Sequence, residues 1–301
     1  MKSNQVEVTI RDKGFGNALF DVINITGMCL LVALTAYPFI YILFASLSEP
    51  NALMGHSGLL FKPLGFNPES YKRVLENPII LSGYANTIFV LVIGLAVNLS
   101  LTIVGAYVLS RRGLYWRNAI MFFVVFTMFF TGGLIPIYLT VKGIGLLDSR
   151  FALILPVAIN TFHLIIMRTS FQSIPHELEE SARMDGAGDL RLLFRIIVPL
   201  SMPVISVMIL FYGVQHWNSW FNAMIYLRDR DLFPLQLVLR EILIANDASR
   251  MIGSVPQGDE ASVAATIKYA AIIITTVPIL FIYPFLQRYF VSGVMIGALK
   301  E

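Results

Sequence analysis

The chain has 301 residues, of which 56% are hydrophobic and 14% are charged, and its mean hydropathy is +0.73. Soluble domains have about 45–50% apolar and about 25% charged residues, so this composition excludes an ordinary soluble protein. The net charge of +3 is too small to indicate nucleic-acid binding, and the single cysteine, Cys29, excludes a disulfide framework or a cysteine-based metal site.

Six apolar segments are long enough to cross a hydrocarbon core of about 30 Å, which requires about 20 helical residues. They are predicted at about 20–47, 86–109, 118–141, 151–171, 196–224 and 268–290. In the third segment, Gly132-Gly133 followed by Pro136 predicts a break where helices approach each other closely. The predicted fold class is all-α and integral to the membrane, with six transmembrane helices.

The two long loops on the outer side are also predicted to contain helices. FNPESYKRVLENPIILSGY, at 66–84, has apolar residues at helical spacing and is typical of an interfacial helix. LFPLQLVLREILIAN, at 232–246, predicts a second amphipathic helix. The predicted units are an N-terminal arm (1–19), a first transmembrane helix (20–47), an outer loop (48–85), a five-helix core (86–291) that includes loops at 173–195 and 225–267, and a tail (292–301).

Lysines and arginines near the ends of the spans predict the orientation, because basic loops face the cytoplasm. They are concentrated in the N-terminal arm, the loop between spans two and three, and the loop between spans four and five. These residues are Lys2, Arg11, Lys13, Arg111, Arg112, Arg117, Arg168, Arg183, Arg191 and Arg195. Both termini are therefore predicted to be cytoplasmic. The N-terminus lacks a small-residue cleavage site after a brief apolar core, so no removable signal peptide is predicted.

The loop before span five, ELEESARMDGAGDLRLLFRIIVP at 177–199, places a charged, helix-forming stretch in a mostly apolar chain. Ser173 is predicted to cap a helix that starts at Pro175, with acidic residues in its first two turns complementing the positive helix end. The acidic residues are Glu177, Glu179 and Glu180. Asp185-Gly186 predicts a turn before a second helix that leads into span five. On the residues alone, a solvated charged loop is the alternative.

This loop reads E-S-A from Glu180, then three residues, Gly186, nine residues and I-x-V-P from Ile196. It resembles the EAA loop of binding-protein-dependent ABC importer permeases, whose pattern is E-A-A, three residues, G, nine residues and I-x-L-P. Ser181 and Val198 are mild departures from that pattern. From about residue 70 onward the chain is similar to the carbohydrate branch, namely the maltose-permease-like second subunit and the permeases for complex oligosaccharides. SYKRVLENPIILSGYANT, WNSWFNAMIYLRDRDLFPLQLVLREI and RYFVSGVMIGALKE carry this similarity.

The resemblance implies an ABC importer type I permease fold with a cytoplasmic coupling helix that docks on an ATPase subunit. The residues it implies for this coupling are Glu177, Glu180, Ser181, Ala182, Asp185, Gly186 and Ala187. The tail from Gly293 to Glu301 is a further expected contact with the ATPases. The implied partners are a second homologous permease, an ATPase homodimer, an extracytoplasmic sugar-binding protein, the saccharide and membrane lipid. ATP and Mg²⁺ would be held by the ATPase subunits, and no cofactor by this chain.

Span five carries a polar stripe within an arc of about 120° at 100° per residue. Its members are Tyr212, Gln215, His216, Ser219 and Asn222. Polar groups in hydrocarbon must face protein or water, so the stripe predicts a lining of the substrate pathway, joined by Asn160 of span four. The alternative is hydrogen bonding across the interface between two permease subunits. For His163, on the same face as Asn160, a packed and hydrogen-bonded role is favoured, and lining of the pathway is the alternative.

Several motifs are missing from the sequence. There is no G-x-x-x-x-G-K-[ST] phosphate loop, so this chain is not expected to be the ATPase, and no catalytic or metal-binding spacing predicts an enzyme. No span has the Asp/Glu series of a proton-coupled carrier. The predicted function is the transmembrane subunit of an ATP-driven importer for oligosaccharide or polysaccharide, working by alternating access. An ion- or proton-coupled sugar carrier is the alternative, and the stripe does not distinguish neutral from uronate-containing sugars.

Overall fold

The computed structural model describes residues 15–111, 113–244 and 260–298, and within those ranges the chain contains helices and connecting turns but no β-strand. The α-helices are α1 (Phe15–Ser46), α2 (Pro50–Met54), α3 (Glu69–Glu76), α4 (Pro78–Ser110), α5 (Arg117–Phe129), α6 (Leu134–Gly143), α7 (Thr161–Gln172), α8 (His176–Met184), α9 (Asp189–Leu192), α10 (Val198–Leu200), α11 (Met202–Trp217), α12 (Trp220–Tyr226), α13 (Leu235–Ile244) and α14 (Glu260–Ala298). Short 3₁₀ helices lie at Arg150–Leu153, Leu155–Val157 and Arg230–Leu232, and a π-helical turn lies at Leu193–Ile197.

Among the described residues, three helices are long and apolar enough to cross a membrane alone, within α1, α4 and α14. Three further spans are pairs of shorter helices that bend at a break. The bends are 113° between α5 and α6, 52° between Arg150–Val157 and α7, and 83° between Asp189–Leu200 and α11. With each bent pair counted as one span, the described chain has the six spans that the sequence predicts.

Several predicted boundaries differ from the structure. The helix predicted at 66–84 is divided: α3 ends at Glu76, and α4 starts at Pro78, well before residue 86. The division follows from Asn77, whose side chain accepts a hydrogen bond from the backbone N–H of Ile79 at 2.9 Å and caps α4. At the other end, α14 starts at Glu260 instead of 268 and continues through most of the predicted tail. Residues 1–14 of the predicted arm lie outside the described residues.

The break in the third predicted span is confirmed, but at Gly133 the close approach of helices that the sequence predicts is not found. Gly133 has φ of +80°, and no atom lies within 4 Å of the position that a Cβ would take there. The glycine is therefore required by its left-handed backbone conformation, which lets α5 and α6 turn sharply, and not by a close approach of helices.

The buried core has two main clusters that share α4. One joins the first half of α4 to α12, α13 and α14 and includes Val90, Leu235 and Ala270. The other joins the second half of α4 to α7, α8, α9 and α11 and includes Phe171 and Tyr212. The helix α4 is thus the shared scaffold for both regions that carry candidate functional residues.

Candidate functional site

The predicted coupling segment folds as the short helix α8 followed by a turn. Its first residue follows Pro175, and no side chain caps its start. Ser173 instead ends α7, where its hydroxyl donates a hydrogen bond to the Ser170 carbonyl at 2.8 Å. The predicted Ser173 cap is therefore wrong, because this residue has helical backbone angles and an N-cap residue needs an extended backbone.

The end of α8 is shaped by a glycine. Gly186 has φ of +79°, its N–H donates to the Arg183 carbonyl at 3.0 Å, and the N–H of Ala187 donates to the Ala182 carbonyl at 2.9 Å. This pair of hydrogen bonds is the Schellman arrangement, which satisfies the last carbonyls of a helix and needs a left-handed residue. Asp185 and Gly186 thus form a turn of defined geometry that leads to α9.

Most of the predicted coupling residues lie on the exposed face of this segment. Glu177, Glu180, Ser181, Asp185 and Gly186 are exposed, Ala187 is half-buried, and Ala182 packs into the core beneath. The sequence analysis did not select three large apolar side chains that are exposed on the same segment. They are Leu178, Met184 and Leu190, with Met184 88% exposed. The surface therefore combines exposed apolar groups, including a methionine of the kind enriched at protein interfaces, with carboxylates of the kind found at a polar rim.

The opposite face of α8 holds a charged residue that the sequence analysis also missed. The Glu179 carboxylate pairs with the Arg111 guanidinium at the end of α4, and their side chains are only 10% and 17% exposed. Arg111 Nε and Nη2 donate to the Ser110 hydroxyl at 3.0 and 2.9 Å, and its Cζ lies 4.7 Å from the centre of the Tyr107 ring. Burial lowers the pKa of the Arg111 guanidinium. A signal was present, since Glu179 precedes the buried Ala182 by three residues and shares its helix face.

The same end of α4 is held by two further hydrogen bonds. In the first, the Tyr107 hydroxyl donates to Asp189 Oδ1 at 3.3 Å, an oxygen that also accepts from Arg183 Nη2 of α8. Arg168 Nε, on α7, donates to the Leu109 carbonyl at 2.9 Å. The end of α4 is therefore in contact with α7, α8 and α9 together.

The predicted polar stripe is divided by the structure. Tyr212 and His216 point into the subunit, where Tyr212 Oη lies 2.8 Å from Thr102 Oγ1 and His216 Nε2 lies 2.6 Å from Asn98 Oδ1. Both side chains are buried, and both polar partners belong to α4. These two members of the stripe connect α11 to α4 within one subunit.

His216 fits into a space that a glycine provides. A Cβ on Gly94 would lie 2.5 Å from His216 Nε2, closer than side-chain atoms ever pack. The same region is completed by Asn98, whose Nδ2 donates to the Val157 carbonyl at 2.8 Å and the Ala158 carbonyl at 2.9 Å. The contact thus brings together α4, α11 and the turn before α7.

Four of the five stripe residues line one small cavity of about 190 Å³. The lining residues are Leu153, Val157, Gln215, His216, Asn218, Ser219, Phe221 and Asn222. Tyr212 is not among them, because it packs between α4 and α7. The sequence predicts all five residues on one helix. In the structure α11 ends at Trp217 and α12 starts at Trp220, so Ser219 and Asn222 do not continue the face of α11. The cavity nevertheless offers neutral hydrogen-bonding groups beside an aromatic ring.

Asn160 lies at a larger groove of about 700 Å³, which Gln215 also lines and whose walls are mainly apolar. The Asn160 side chain caps α7 by accepting from the Phe162 and His163 N–H groups at 3.0 and 3.2 Å. Its own N–H donates to the Tyr212 hydroxyl at 3.0 Å. His163 is buried against Phe211 and Tyr212, with ring centres 5.4 and 4.4 Å away.

At the other end of the bundle, Asp148 joins two loops. It has φ of +59°, and its Oδ1 accepts from the backbone N–H groups of Arg228 and Asp229, each at 2.9 Å. Its own N–H donates to the Tyr226 carbonyl at 2.9 Å. The two backbone hydrogen bonds lower the pKa of the Asp148 carboxyl. The turn after α6 is thereby attached to the end of α12.

No group of three His, Cys, Asp or Glu side chains within the described ranges is arranged to hold a metal ion. The described residues form an exposed charged and apolar surface at one end of α4 and a polar cavity beside its middle.

Known proteins resemble this chain over almost its whole length. The permease protein YtcP of Bacillus subtilis, named for a polygalacturonan/rhamnogalacturonan transport system, is 43% identical over 94% of this chain and 99% of its own. Protein LplC of Bacillus subtilis is 43% identical over 94% of this chain and 95% of its own. The inner membrane ABC transporter permease protein YcjP of Escherichia coli is 30% identical over 91% and 94%.

A solved structure shows the same fold. It is a crystal structure of a bacterial ABC transporter involved in the import of the acidic polysaccharide alginate. One of its chains matches with a TM-score of 0.85 and 32% identity, covering 92% of this chain and 98% of that one. A family model for the inner membrane component of binding-protein-dependent transport systems matches residues 99–296. This chain therefore belongs to the binding-protein-dependent transport system inner membrane components, the permease subunits of ABC importers.

Proposed function

We propose that this chain is the transmembrane subunit of an ATP-driven importer that moves acidic oligosaccharides or polysaccharides across the cytoplasmic membrane by alternating access. The observation that carries the substrate class is the agreement of two relatives. One is named for polygalacturonan and rhamnogalacturonan transport, and the other belongs to a transporter of the acidic polysaccharide alginate. All three polymers contain uronate sugars, which are anionic at neutral pH.

The exposed face of α8 is the proposed docking surface for an ATPase subunit. Glu180 is exposed and available to a basic group on that partner, while Leu178 and Met184 supply apolar area. ATP and Mg²⁺ belong to the two ATPase subunits, whose closure would displace α8. This assignment places α8 and both termini in the cytoplasm, with a second permease completing the pathway and a saccharide-binding protein docking on the opposite side.

The cavity beside α11 is the proposed saccharide-contacting part of this subunit. Gln215 and Asn222 can pair with sugar hydroxyls, and Phe221 offers a ring for a sugar face. Its described lining contains no lysine or arginine. The proposed role of the cavity is therefore hydroxyl recognition, and the selection of the uronate charge is assigned to the binding protein and the partner permease.

The function is tested by uptake into proteoliposomes that contain both permeases and the ATPases, with binding protein outside and ATP inside. Radiolabelled galacturonate oligomers and neutral oligosaccharides of equal length are supplied separately. The expected result is uptake of the acidic oligomers that requires both ATP and the binding protein. Uptake of the neutral sugars alone would contradict the acidic substrate class. Uptake that persists without ATP would instead indicate an ion- or proton-coupled carrier.

The coupling role of the turn is tested with Gly186→Val and Glu180→Lys. Valine at a φ of +79° costs roughly 1–2 kcal/mol and disturbs the turn, and lysine reverses the charge of the docking face. Both variants are expected to insert and bind ATPase, while stimulation of ATP hydrolysis by loaded binding protein is lost. Gly188→Ala is the matched control, because its φ of −75° suits any residue and no atom lies within 4 Å of the added Cβ. Normal stimulation in both variants would refute the assignment.

A further inference from the structure

The geometry points to the ion pair between Arg111 and Glu179 as the link through which displacement of α8 reaches α4. We infer that these two are positioning residues, and that α4 carries the movement to the polar contacts at the middle of the subunit. This inference rests on the proposed coupling function of α8. Neither residue is part of the E-S-A motif that starts at Glu180.

The guanidinium of Arg111 is fixed on both sides. Nη1 donates to the Glu179 carboxylate, while Nε and Nη2 donate to the hydroxyl of Ser110, in the last turn of α4. The Tyr107 ring, one turn earlier, lies against its Cζ. Arg111 therefore moves with α4 as a unit, and Glu179 attaches α8 to it.

Burial distinguishes this pair from the neighbouring pair of Arg183 and Asp189. Arg111 and Glu179 are largely shielded from water, whereas the side chains of Arg183 and Asp189 are 50% and 66% exposed. Attraction between charges is stronger where water is excluded, and exposed pairs are weakened by solvent and salt. The buried pair is thus the strong connection between α8 and α4.

From this connection, α4 leads without interruption to the polar contacts of α11. Its 33 residues contain proline only at Pro78, in the first turn, so every later turn keeps its backbone hydrogen bonds. Along it lie Thr102, bonded to Tyr212, and Asn98, bonded to His216. A continuous helix moves as one body, so a displacement at Arg111 is felt at Asn98.

The direct route along the chain from α8 to α11 is interrupted at three joints, where the helix turns or changes its geometry. Between α8 and α11 lie the turn at Gly186, the π-helical Leu193–Ile197 and an 83° bend at Ser201. Each joint absorbs part of a displacement by changing its own angles. The ion pair bypasses all three joints.

The test uses the assembled complex in proteoliposomes and measures access to the cavity without any saccharide. In a Cys29→Ser background, Asn218→Cys places the only thiol of this chain at the cavity lining. Its labelling rate by a water-soluble maleimide is measured with and without ATP and unloaded binding protein. The variants are Glu179→Gln, Arg111→Lys and the charge exchange Arg111→Glu with Glu179→Arg. Glu69→Gln, which removes the exposed pair with Arg73 on α3, is the control.

The expected result is that Glu179→Gln and Arg111→Lys each reduce the ATP-dependent change in labelling rate by about fivefold or more, the lower end of measured site-to-site coupling. Glu69→Gln should leave that change intact, and the charge exchange should restore most of it. Arg111→Lys keeps the charge, so it reports on the link even if Glu179→Gln does not insert. Full ATP-dependent labelling changes in either single variant, or no recovery in the charge exchange, would overturn the inference.

Failure of the proposed substrate is distinguishable from failure of this link. If the unaltered complex shows the labelling change but takes up no galacturonate oligomer, the substrate proposal fails and the link can still be judged from the variants. If the unaltered complex takes up the oligomers and the single variants do so equally well per ATP hydrolysed, the link fails and the substrate proposal stands.

Discussion

Two parts of the molecule lead from α8 to the buried polar contacts, and they are built differently. The helix α4 is continuous over Pro78–Ser110 and meets α8 through a buried ion pair. The segment Asp189–Trp217 continues from α8 along the chain but bends by 83°. The helix that is nearest in sequence is thus the less rigid connection, and the one joined through side chains is the more rigid. Chain connectivity and mechanical connectivity differ in this fold.

The bend in the second segment has a local cause. Ser201 has φ of −100° and ψ of 12°, which departs from helix geometry, and its buried hydroxyl has no hydrogen-bond partner among the described residues. Pro199 and Pro203 flank it, and each removes a backbone donor. The helix α4 has no such irregular residue and no proline after Pro78, so its backbone hydrogen bonds are uninterrupted.

The largest loss of stability is expected when the charge that connects α8 to α4 is removed. Glu179→Ala leaves the Arg111 guanidinium buried without its partner, which is expected to lower the free energy of unfolding by about 3–5 kcal/mol. Glu180→Ala is the adjacent control; its side chain is 69% exposed and its only described ion-pair partner is His176. A loss within about 1 kcal/mol is expected there. Denaturant unfolding of the detergent-purified protein measures both, and equal losses would mean that Glu179 is not effectively buried.

A smaller effect is expected from Gly94→Ala, at the contact between the middle of α4 and α11. The added Cβ would lie 2.5 Å from His216 Nε2, and such overpacking costs about 1–3 kcal/mol. Gly213→Ala is the control on the facing helix, because its Cβ would lie an ordinary 3.8 Å from Leu91 Cδ1. The measurement is thermal unfolding, and adding His216→Ala to Gly94→Ala should cancel part of the clash. A clash that persists in the double variant would mean that the backbone, not the imidazole, is the obstacle.

The smallest effect is expected at Asp148, which attaches the end of α12 to the turn after α6. Its pKa is lowered by hydrogen bonds from the N–H groups of Arg228 and Asp229, so its contribution to stability is present above the ordinary carboxyl pKa and is lost as pH falls through the folded value. Hydrogen-exchange protection factors of those two amides are therefore expected to fall in acid. Asp148→Asn should make them independent of pH, since asparagine tolerates the left-handed backbone and does not titrate. Unchanged acid sensitivity in that variant would assign the effect to another group.

The sequence predicted the membrane spans well because each is an apolar run, and apolar length is what the bilayer requires. It also located the breaks at Gly132-Gly133 and Asp185-Gly186, although the left-handed backbone that Gly133 adopts was found only in the structure. It did not predict the start of α4 at Pro78. The apolar spacing on the two sides of Asn77 is compatible with one helix or with two, and the sequence alone did not show that Asn77 caps a new helix.

The sequence did not predict the division of the polar stripe, and the reason is a different one. Periodicity places Tyr212 and His216 on the same side as Gln215, but which helix that side faces depends on tertiary packing. Only the structure shows that Tyr212 and His216 form hydrogen bonds with Thr102 and Asn98 of α4. In the same way, Glu179 looks like any acidic residue early in a helix until Arg111 is found beside it.

The fit of His216 against Gly94 has a consequence for how this subunit can change over evolutionary time. The imidazole fills the volume that any side chain at position 94 would need, so position 94 cannot become larger while histidine occupies position 216. Among related permeases, a larger residue at position 94 should appear only together with a smaller one at position 216. Such paired substitution would preserve the spacing of the two helices while altering the polarity of the cavity wall that is proposed to contact the saccharide.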